Sequence, residues 1–350
     1  MKLQYVTDQM PGIRRVRRGR GFAYQTDDGH WLRPGDADDE VHLQRIRSLA
    51  IPPAYEQVWI CPLPAGHMQA TGRDARGRKQ YRYHPEWRAR QEDDKFERLL
   101  AFGEALPRLR RCVNQALACP VGRRPGREVV MATLIRLLDT TLVRVGNEAY
   151  ARDNQSYGLT TLRCRHAQVR GSHLVLRFRG KSGVLHEVEL DDPRVAAIVR
   201  RCQDMPGQEL FQYVDDDGVV HPVGSADLNE QIGQCCGEAF TAKDFRTWHA
   251  TVHAWARLSP CARGGKSETP CASHGVTERK RLVNEALREV AGLLGNTLAV
   301  CRKSYVHPRV LDCALQAQWP EQPVPLPPRR GLSQDERALL AFLKVRELQT

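Results

Sequence analysis

His173-Leu174-Val175-Leu176-Arg177-Phe178-Arg179, Gly180-Lys181-Ser182-Gly183 and Val184-Leu185-His186-Glu187-Val188-Glu189-Leu190 follow one another as strand, turn and strand. Apolar and polar residues alternate on both sides of a glycine-bracketed turn, as in a hairpin with one face against a core. Lys181 therefore stands at a hairpin tip. What surrounds this hairpin is helical. Upstream, Val130, Leu134, Leu137, Leu138, Leu142 and Val145 recur at helical spacing between Arg127 and Val145, and Lys95 to Leu106 has the same texture. Downstream, helical patterns resume at Pro193 and again from Thr277 to Leu294. A hairpin set among helices predicts a mainly α-helical domain carrying one small sheet.

Toward the amino terminus the texture changes. Gly21-Phe22-Ala23-Tyr24, Val58-Trp59-Ile60 and Met68-Gln69-Ala70-Thr71-Gly72 are short runs separated by turn signals such as Asp27-Asp28-Gly29, which predicts a small antiparallel β-rich domain. One short helix is expected from Asp39 to Leu49, stopped by Ile51-Pro52-Pro53. The basic run Arg14-Arg15-Val16-Arg17-Arg18-Gly19-Arg20 reads by default as a solvated arm. The fold class is thus α+β: a β-rich domain over residues 1–90, a helical domain over 91–315 and a tail over 316–350, with the interdomain link around Gln91 to Phe96. The tail holds five prolines between Trp319 and Pro328, a stiff linker, before a short amphipathic helix from Ser333 to Leu348. Ser259 to Gly275 reads as an exposed loop, and no internal repeat is visible.

The 350 residues carry 53 lysines and arginines against 41 acidic residues, a formal charge of +12 and a pI of about 9.4. Such an excess favours a polyanionic partner without saying which one. No apolar run approaches the roughly 20 residues of a membrane span. Met1 to Gly12 lacks the basic-then-apolar order of a secretory signal, so a soluble cytoplasmic protein is expected. Eleven scattered cysteines form no zinc-type knuckle and are read as free, mostly buried thiols; Cys261 and Cys271, flanking a glycine- and serine-containing stretch, would pair only under oxidation and are given no role.

Four basic or nucleophilic residues of the helical domain sit beside glycine, turn or helix-end signals: Arg144, Lys181, Arg246 and Tyr305. Singly, each has an ordinary structural explanation. Arg144 would cap a helix end or pair with Glu148, Lys181 would be a solvated turn residue, Arg246 a surface ion pair, and Tyr305 half buried with a wet hydroxyl. Together they are what a phenol needs to exchange a phosphodiester bond. Guanidinium groups bind the non-bridging oxygens of the pentavalent phosphate. A lysine whose pKa is lowered by neighbouring arginines can protonate the departing 5′-oxygen, and the tyrosine holds the phosphate covalently. In the small domain, Gln80 to His84 alternates as a strand with Tyr81 and Tyr83 on one face. Basic residues interleaved with aromatics suit a nucleic-acid face, and a strand packing its tyrosines inward suits the pattern equally.

Arg144-Val145-Gly146-Asn147, Gly180-Lys181-Ser182-Gly183, Lys243-Asp244-Phe245-Arg246-Thr247, and Leu294-Gly295-Asn296-Thr297 followed by Arg302-Lys303-Ser304-Tyr305 resemble, in this order, the motifs of bacterial, poxvirus-like type IB DNA topoisomerases. The resemblance runs from about Gly19 to Pro308. It implies the catalytic fold shared by tyrosine recombinases and these topoisomerases, with Tyr305 as nucleophile, Arg144 and Arg246 as phosphate clamps and Lys181 as general acid. It implies double-stranded DNA as partner, a monomeric clamp working at the nucleoid, and no metal or ATP. Arg78, Gln80, Tyr81 and Tyr83 would contact DNA on a strand lying in the major groove, and Tyr150 and Lys243 would lie near the scissile phosphate; on the residues alone, Lys79 would meet phosphates beside Arg78. One position departs from the poxvirus pattern: Asn296 stands nine residues before Tyr305 in place of histidine, an amide that donates a hydrogen bond but cannot carry a proton's charge. Tyrosine recombinases share the ensemble but usually carry His-x-x-Arg where this chain has Lys243-x-x-Arg246. A non-catalytic DNA-binding relative would be expected to have lost one of these residues.

Overall fold

The computed structural model describes residues 2–75, 77–120, 122, 124–260, 275–320 and 327–345, and the chain divides into two units, Met1–Lys95 and Phe96–Thr350. In the first unit β1 (Ile13–Arg18), β2 (Gly21–Gln25), β3 (Glu56–Ile60), β4 (Met68–Arg73) and β5 (Lys79–Tyr83) form an antiparallel sheet in the order β2-β1-β3-β4-β5. Helix α1 (Ala37–Ser48) adds Leu43 and Ile46 to a core with Ile13, Val58, Ile60 and Ala70. It starts ahead of the expected Asp39 because Asp36 caps it, accepting from the amides of Asp38 and Asp39.

The basic run at Arg14 to Arg20 is not an arm. It forms β1, paired on both sides, with Ile13 buried beneath it. The arginines fit a strand because their charges find partners. Arg15 donates to the carbonyls of Ile51, Pro52 and Tyr55 and lies 4.1 Å from the centre of the Phe22 ring. Arg18 lies 4.4 Å over Trp31.

In the second unit the division falls inside α2 (Pro85–Ala118), a helix longer than the Lys95 to Leu106 pattern predicts and continuous through Pro107. After it come α3 (Arg127–Thr141), α4 (Glu148–Asn154) and the antiparallel sheet β6 (Ala167–Arg170), β7 (His173–Arg179) and β8 (Leu185–Asp191). The expected hairpin is thus the β7–β8 part of a three-stranded sheet. Next are α5 (Pro193–Gln203), the small pair β9 (Gln212–Val214) and β10 (Val220–Pro222), and α6 (Ser225–Cys236). Then follow α7 (Ala242–Leu258), α8 (Val276–Leu294), α9 (Leu298–Ser304), α10 (Pro308–Gln316) and α11 (Gln334–Lys344). Helix α3 lies at the centre, with Val130, Leu134, Leu137 and Leu138 buried. The loop expected from Ser259 to Gly275, with Cys261 and Cys271, and the middle of the proline-rich stretch lie largely outside the described residues.

Two expectations are corrected here. The tail does not stand apart: Leu339, Leu340 and Phe342 of α11 belong to the same core as Trp248 and Trp255 of α7. Its attachment is polar as well as apolar. Glu336 is buried and accepts from both terminal nitrogens of Arg110 at 2.9 Å and from the Trp248 indole at 3.0 Å. Arg110 also grips Asp139 at 2.7 and 2.9 Å, and the His249 ring lies 2.8 Å from the same carboxylate. Helices α2, α3, α7 and α11 therefore meet in one network. Nor are all described thiols free, since Cys112 on α2 and Cys235 on α6 form a disulfide, their Cα atoms 6.1 Å apart. Residues 123 positions apart give no sign of this in sequence. Cys61, Cys119, Cys164, Cys202, Cys236, Cys301 and Cys313 are free.

Removing one partner of such a network leaves buried charge uncompensated. Glu336→Ala is expected to cost about 3–5 kcal/mol, read from chemical denaturation of the full chain. Burial alone would raise the Asp139 and Glu336 carboxyls, but Arg110, joined by His249 at Asp139 and Trp248 at Glu336, pulls both below their ordinary values. Groups lowered in the folded state contribute stability above their unfolded pKa and lose it as the pH falls. The Tm should drop steeply below about pH 4, and Asp139→Asn should flatten that acid limb.

Candidate active site

Helix α3 stops at Leu142, whose φ of 57° turns the chain out of the helix. The following segment is held by another strip of backbone: Leu159 N donates to Arg144 O at 2.9 Å and Thr160 N to Val145 O at 2.7 Å. Two glycines make this approach possible. A Cβ on Gly158 would lie 2.6 Å from Arg144 O, and one on Gly146, at φ +115°, would lie 2.9 Å from Thr161 Oγ1. The backbone of Arg144 is fixed as a result. Its guanidinium donates to Gly295 O at 3.4 Å and to Asn296 Oδ1.

Arg246 lies in the second turn of α7 and is only 5 % exposed. The helix starts at Thr241, whose amide donates to Asp244 Oδ2 at 2.7 Å in a capping box. The Arg246 guanidinium donates to Leu294 O at 2.8 Å and to Leu142 O. These carbonyls close α8 and cap α3, positions where backbone acceptors lack helical partners and the helix dipole is negative. Among the described residues no carboxylate pairs with Arg144 or Arg246.

Tyr305 caps α9, and its carbonyl accepts from Thr251 Oγ1 at 3.2 Å. The Arg246 guanidinium carbon lies 5.3 Å from the centre of its ring. Burial alone would raise the phenol's pKa. The charge of Arg246, its hydrogen bond to the hydroxyl, the charge of Arg144 and the adjacent Asn296 amide reverse this and hold it below the ordinary tyrosine value. Asn296 follows Gly295, the left-handed cap of α8, so it stands at a helix end as well as in the cluster. Its Nδ2 is close enough to favour the phenolate, yet it is buried without a well-formed hydrogen bond, as is Nε of Arg246.

The structure thus brings Arg144, Arg246, Asn296 and Tyr305 together. Lys181 stands exposed at the tip between β7 and β8, and among the described residues no hydrogen bond or ion pair joins it to the cluster. Tyr150, on the first turn of α4, and Lys243, one turn before Arg246, are exposed. One neighbour had no signal in sequence beyond a polar place in strand alternation: His186 on β8, lowered in pKa by burial and then by the charges of Arg144 and Arg246. In the first unit, Tyr81 and Tyr83 share one face of β5, their rings stacked 5.9 Å apart. Asp74 accepts from Arg78 at 2.7 Å and from Gln80 at 2.9 Å, and Lys79 pairs with Asp8 at 2.5 Å. No group of ligating side chains among the described residues could hold a metal ion, and no described helix is long and apolar enough to cross a membrane.

Because the arginines lower the Tyr305 phenol, Arg246→Ala should raise its pKa. Ultraviolet titration of each protein, minus the same protein carrying Tyr305→Phe, measures the shift.

Residues 84–318 match the family described as Eukaryotic DNA topoisomerase I, catalytic core, and residues 21–74 match Bacterial DNA topoisomerase IB, N-terminal domain. The chain is 33% identical over 304 residues to the DNA topoisomerase 1B of Acanthamoeba polyphaga mimivirus, covering 85% of each protein. It is 22% identical over 300 residues to the DNA topoisomerase 1B of Vaccinia virus (strain Copenhagen), covering 81% of this chain and 85% of the viral one. A DNA topoisomerase 1 of Mycosarcoma maydis is 26% identical over 276 residues, 73% of this chain and 26% of the longer relative. The catalytic-core match takes in Arg144, Lys181, Arg246, Asn296 and Tyr305, the amino-terminal match lies within the β-rich unit, and the chain belongs to the type IB DNA topoisomerases.

Proposed function

We propose that Tyr305 attacks a phosphodiester of duplex DNA and that Arg144, Arg246 and Asn296 bind the non-bridging oxygens of that phosphate. Tyr305 loses its phenolic proton to solvent; the phenolate oxygen then bonds to phosphorus and the bond to the 5′-oxygen breaks, leaving a 3′-phosphotyrosine. Lys181 gives its proton to the departing 5′-oxygen, and the reverse step reseals the strand. Between the two steps the free 5′ end turns about the intact strand, so supercoils of both signs relax and no nucleotide is consumed.

One observation carries this assignment. Arg246 Nε and Asn296 Nδ2 are buried donors without a well-formed hydrogen bond, beside a phenol biased toward its anion. A buried unsatisfied donor costs about 1–3 kcal/mol. Here the donors converge where two uncompensated guanidiniums would meet a phosphate, whose oxygens would satisfy them.

Arg78, Lys79, Gln80, Tyr81 and Tyr83, with Tyr150 and Lys243, are the proposed duplex contacts. A single chain suffices for the chemistry, and the nucleoid is its proposed place of work.

Purified protein should relax negatively and positively supercoiled plasmid in EDTA without ATP, and Tyr305→Phe should abolish this; survival of relaxation in that variant would refute the assignment. Arg246→Ala should slow single-turnover cleavage by about 10²–10³-fold. Duplex affinity should fall steeply between 50 and 200 mM salt, as expected when several phosphates are neutralised together (roughly 10³–10⁵-fold for 6–10 contacts).

A further inference from the structure

His186 faces Phe178 across β7 and β8, and the two rings stack 5.2 Å apart at 13°. It sits against two glycines from different parts of the chain. A Cβ on Gly180 would lie 2.5 Å from the imidazole Cδ2 and 2.7 Å from Nε2; a Cβ on Gly295 would lie 2.7 Å from Cε1. Gly180 precedes Lys181, and its amide closes the tip by donating to Val184 O at 2.7 Å. Gly295 precedes Asn296, and its carbonyl accepts from Arg144. One edge of the ring therefore touches the turn that carries Lys181. Another touches the turn that carries Asn296.

We propose that His186 is a positioning residue, a flat wedge that seats the Lys181 hairpin against the Gly295-Asn296 turn so that the lysine reaches the leaving 5′-oxygen. The inference rests on the assignment of Lys181 as proton donor. The exposed side chain of Lys181 has no ion pair or hydrogen bond to the cluster to orient it, so its reach must be set by the backbone of its turn. Ser182 and Gly183 at the tip have φ of 63° and 78°, so the turn has its own shape and is placed as a unit. A ring fits this work because both contacts are with bare Cα positions, where a stiff planar side chain packs without a hydrogen bond. Burial and the two arginines disfavour its protonated form, so the wedge adds no third positive charge beside the phosphate.

The test is single-turnover cleavage of two duplexes, one with an ordinary phosphodiester at the cleavage site and one with sulfur in place of the bridging 5′-oxygen. A thiolate leaves without a proton, because thiols are far more acidic than alcohols. His186→Ala should slow cleavage of the ordinary duplex on the order of 10²-fold and leave cleavage of the sulfur duplex near that of the parent. His186→Gln, which keeps a polar side chain without the ring, should give the same pattern and serves if the alanine chain does not fold. Gly180→Ala, which drives a methyl group into the imidazole, should act alike in the parent and add nothing in a His186→Ala background. Equal slowing on both duplexes, or no slowing on the ordinary one, would overturn the proposal. Lys181→Ala is the control for the underlying assignment: if sulfur fails to restore its cleavage, Lys181 is not the proton donor, whatever His186 does.

Discussion

Arg246 is a charge taken out of water and held by the ends of helices. Its guanidinium donates to the carbonyl of Leu142, where α3 ends, and to that of Leu294, where α8 ends. Helix ends carry carbonyls without intrahelical partners, so one side chain satisfies two of them while they hold its plane. No carboxylate neutralises it among the described residues, and its remaining charge is directed at the Tyr305 ring. Losing this contact would affect more than the proposed phosphate contact, because the same guanidinium ties together the turns that carry Arg144 and Asn296. The active centre and the junction of α3, α7 and α8 are one piece of structure.

The second support is remote from the chemistry. Arg110, Asp139, His249, Trp248 and Glu336 join four helices, and Asp139 lies on α3 shortly before the turn to Arg144. The far end of the chain, through Glu336 and the apolar face of α11, thus reaches the helix that leads into the turn of Arg144. The tail is part of the catalytic unit in this physical sense.

Much of this was legible in residues. The spacing of Val130, Leu134, Leu137 and Leu138 marks α3 because a buried helix must repeat its apolar face, and alternation around Gly180-Lys181-Ser182-Gly183 marks β7 and β8. Arg144, Arg246, Asn296 and Tyr305 stood out as ordered motifs, and they meet in space. What was not legible depended on partners far along the chain. Arg14 to Arg18 looked like a solvated run because the acceptors and rings that suit it to a strand, Ile51, Pro52, Tyr55, Phe22 and Trp31, come later. The proline-rich approach to α11 suggested separation, whereas burial of Glu336 needs Arg110. His186 is one polar position of a strand in sequence, and only the fold brings Gly180 and Gly295 against its ring.

At the start of β5, Asp74 of the preceding loop already occupies the polar ends of Arg78 and Gln80, and Asp8 occupies Lys79. A duplex that uses these groups must trade places with carboxylates already there. Encounter at that edge is then a competition in which an ill-matched base edge offers too little to displace the resident acceptor, while a well-matched one inherits donors already aligned by it. If that edge contacts duplex DNA as proposed, its internal acids lower indiscriminate adhesion and widen the gap between well-matched and ill-matched sequences. A chain that must travel over long stretches of polyanion without stalling gains mobility from the same arrangement.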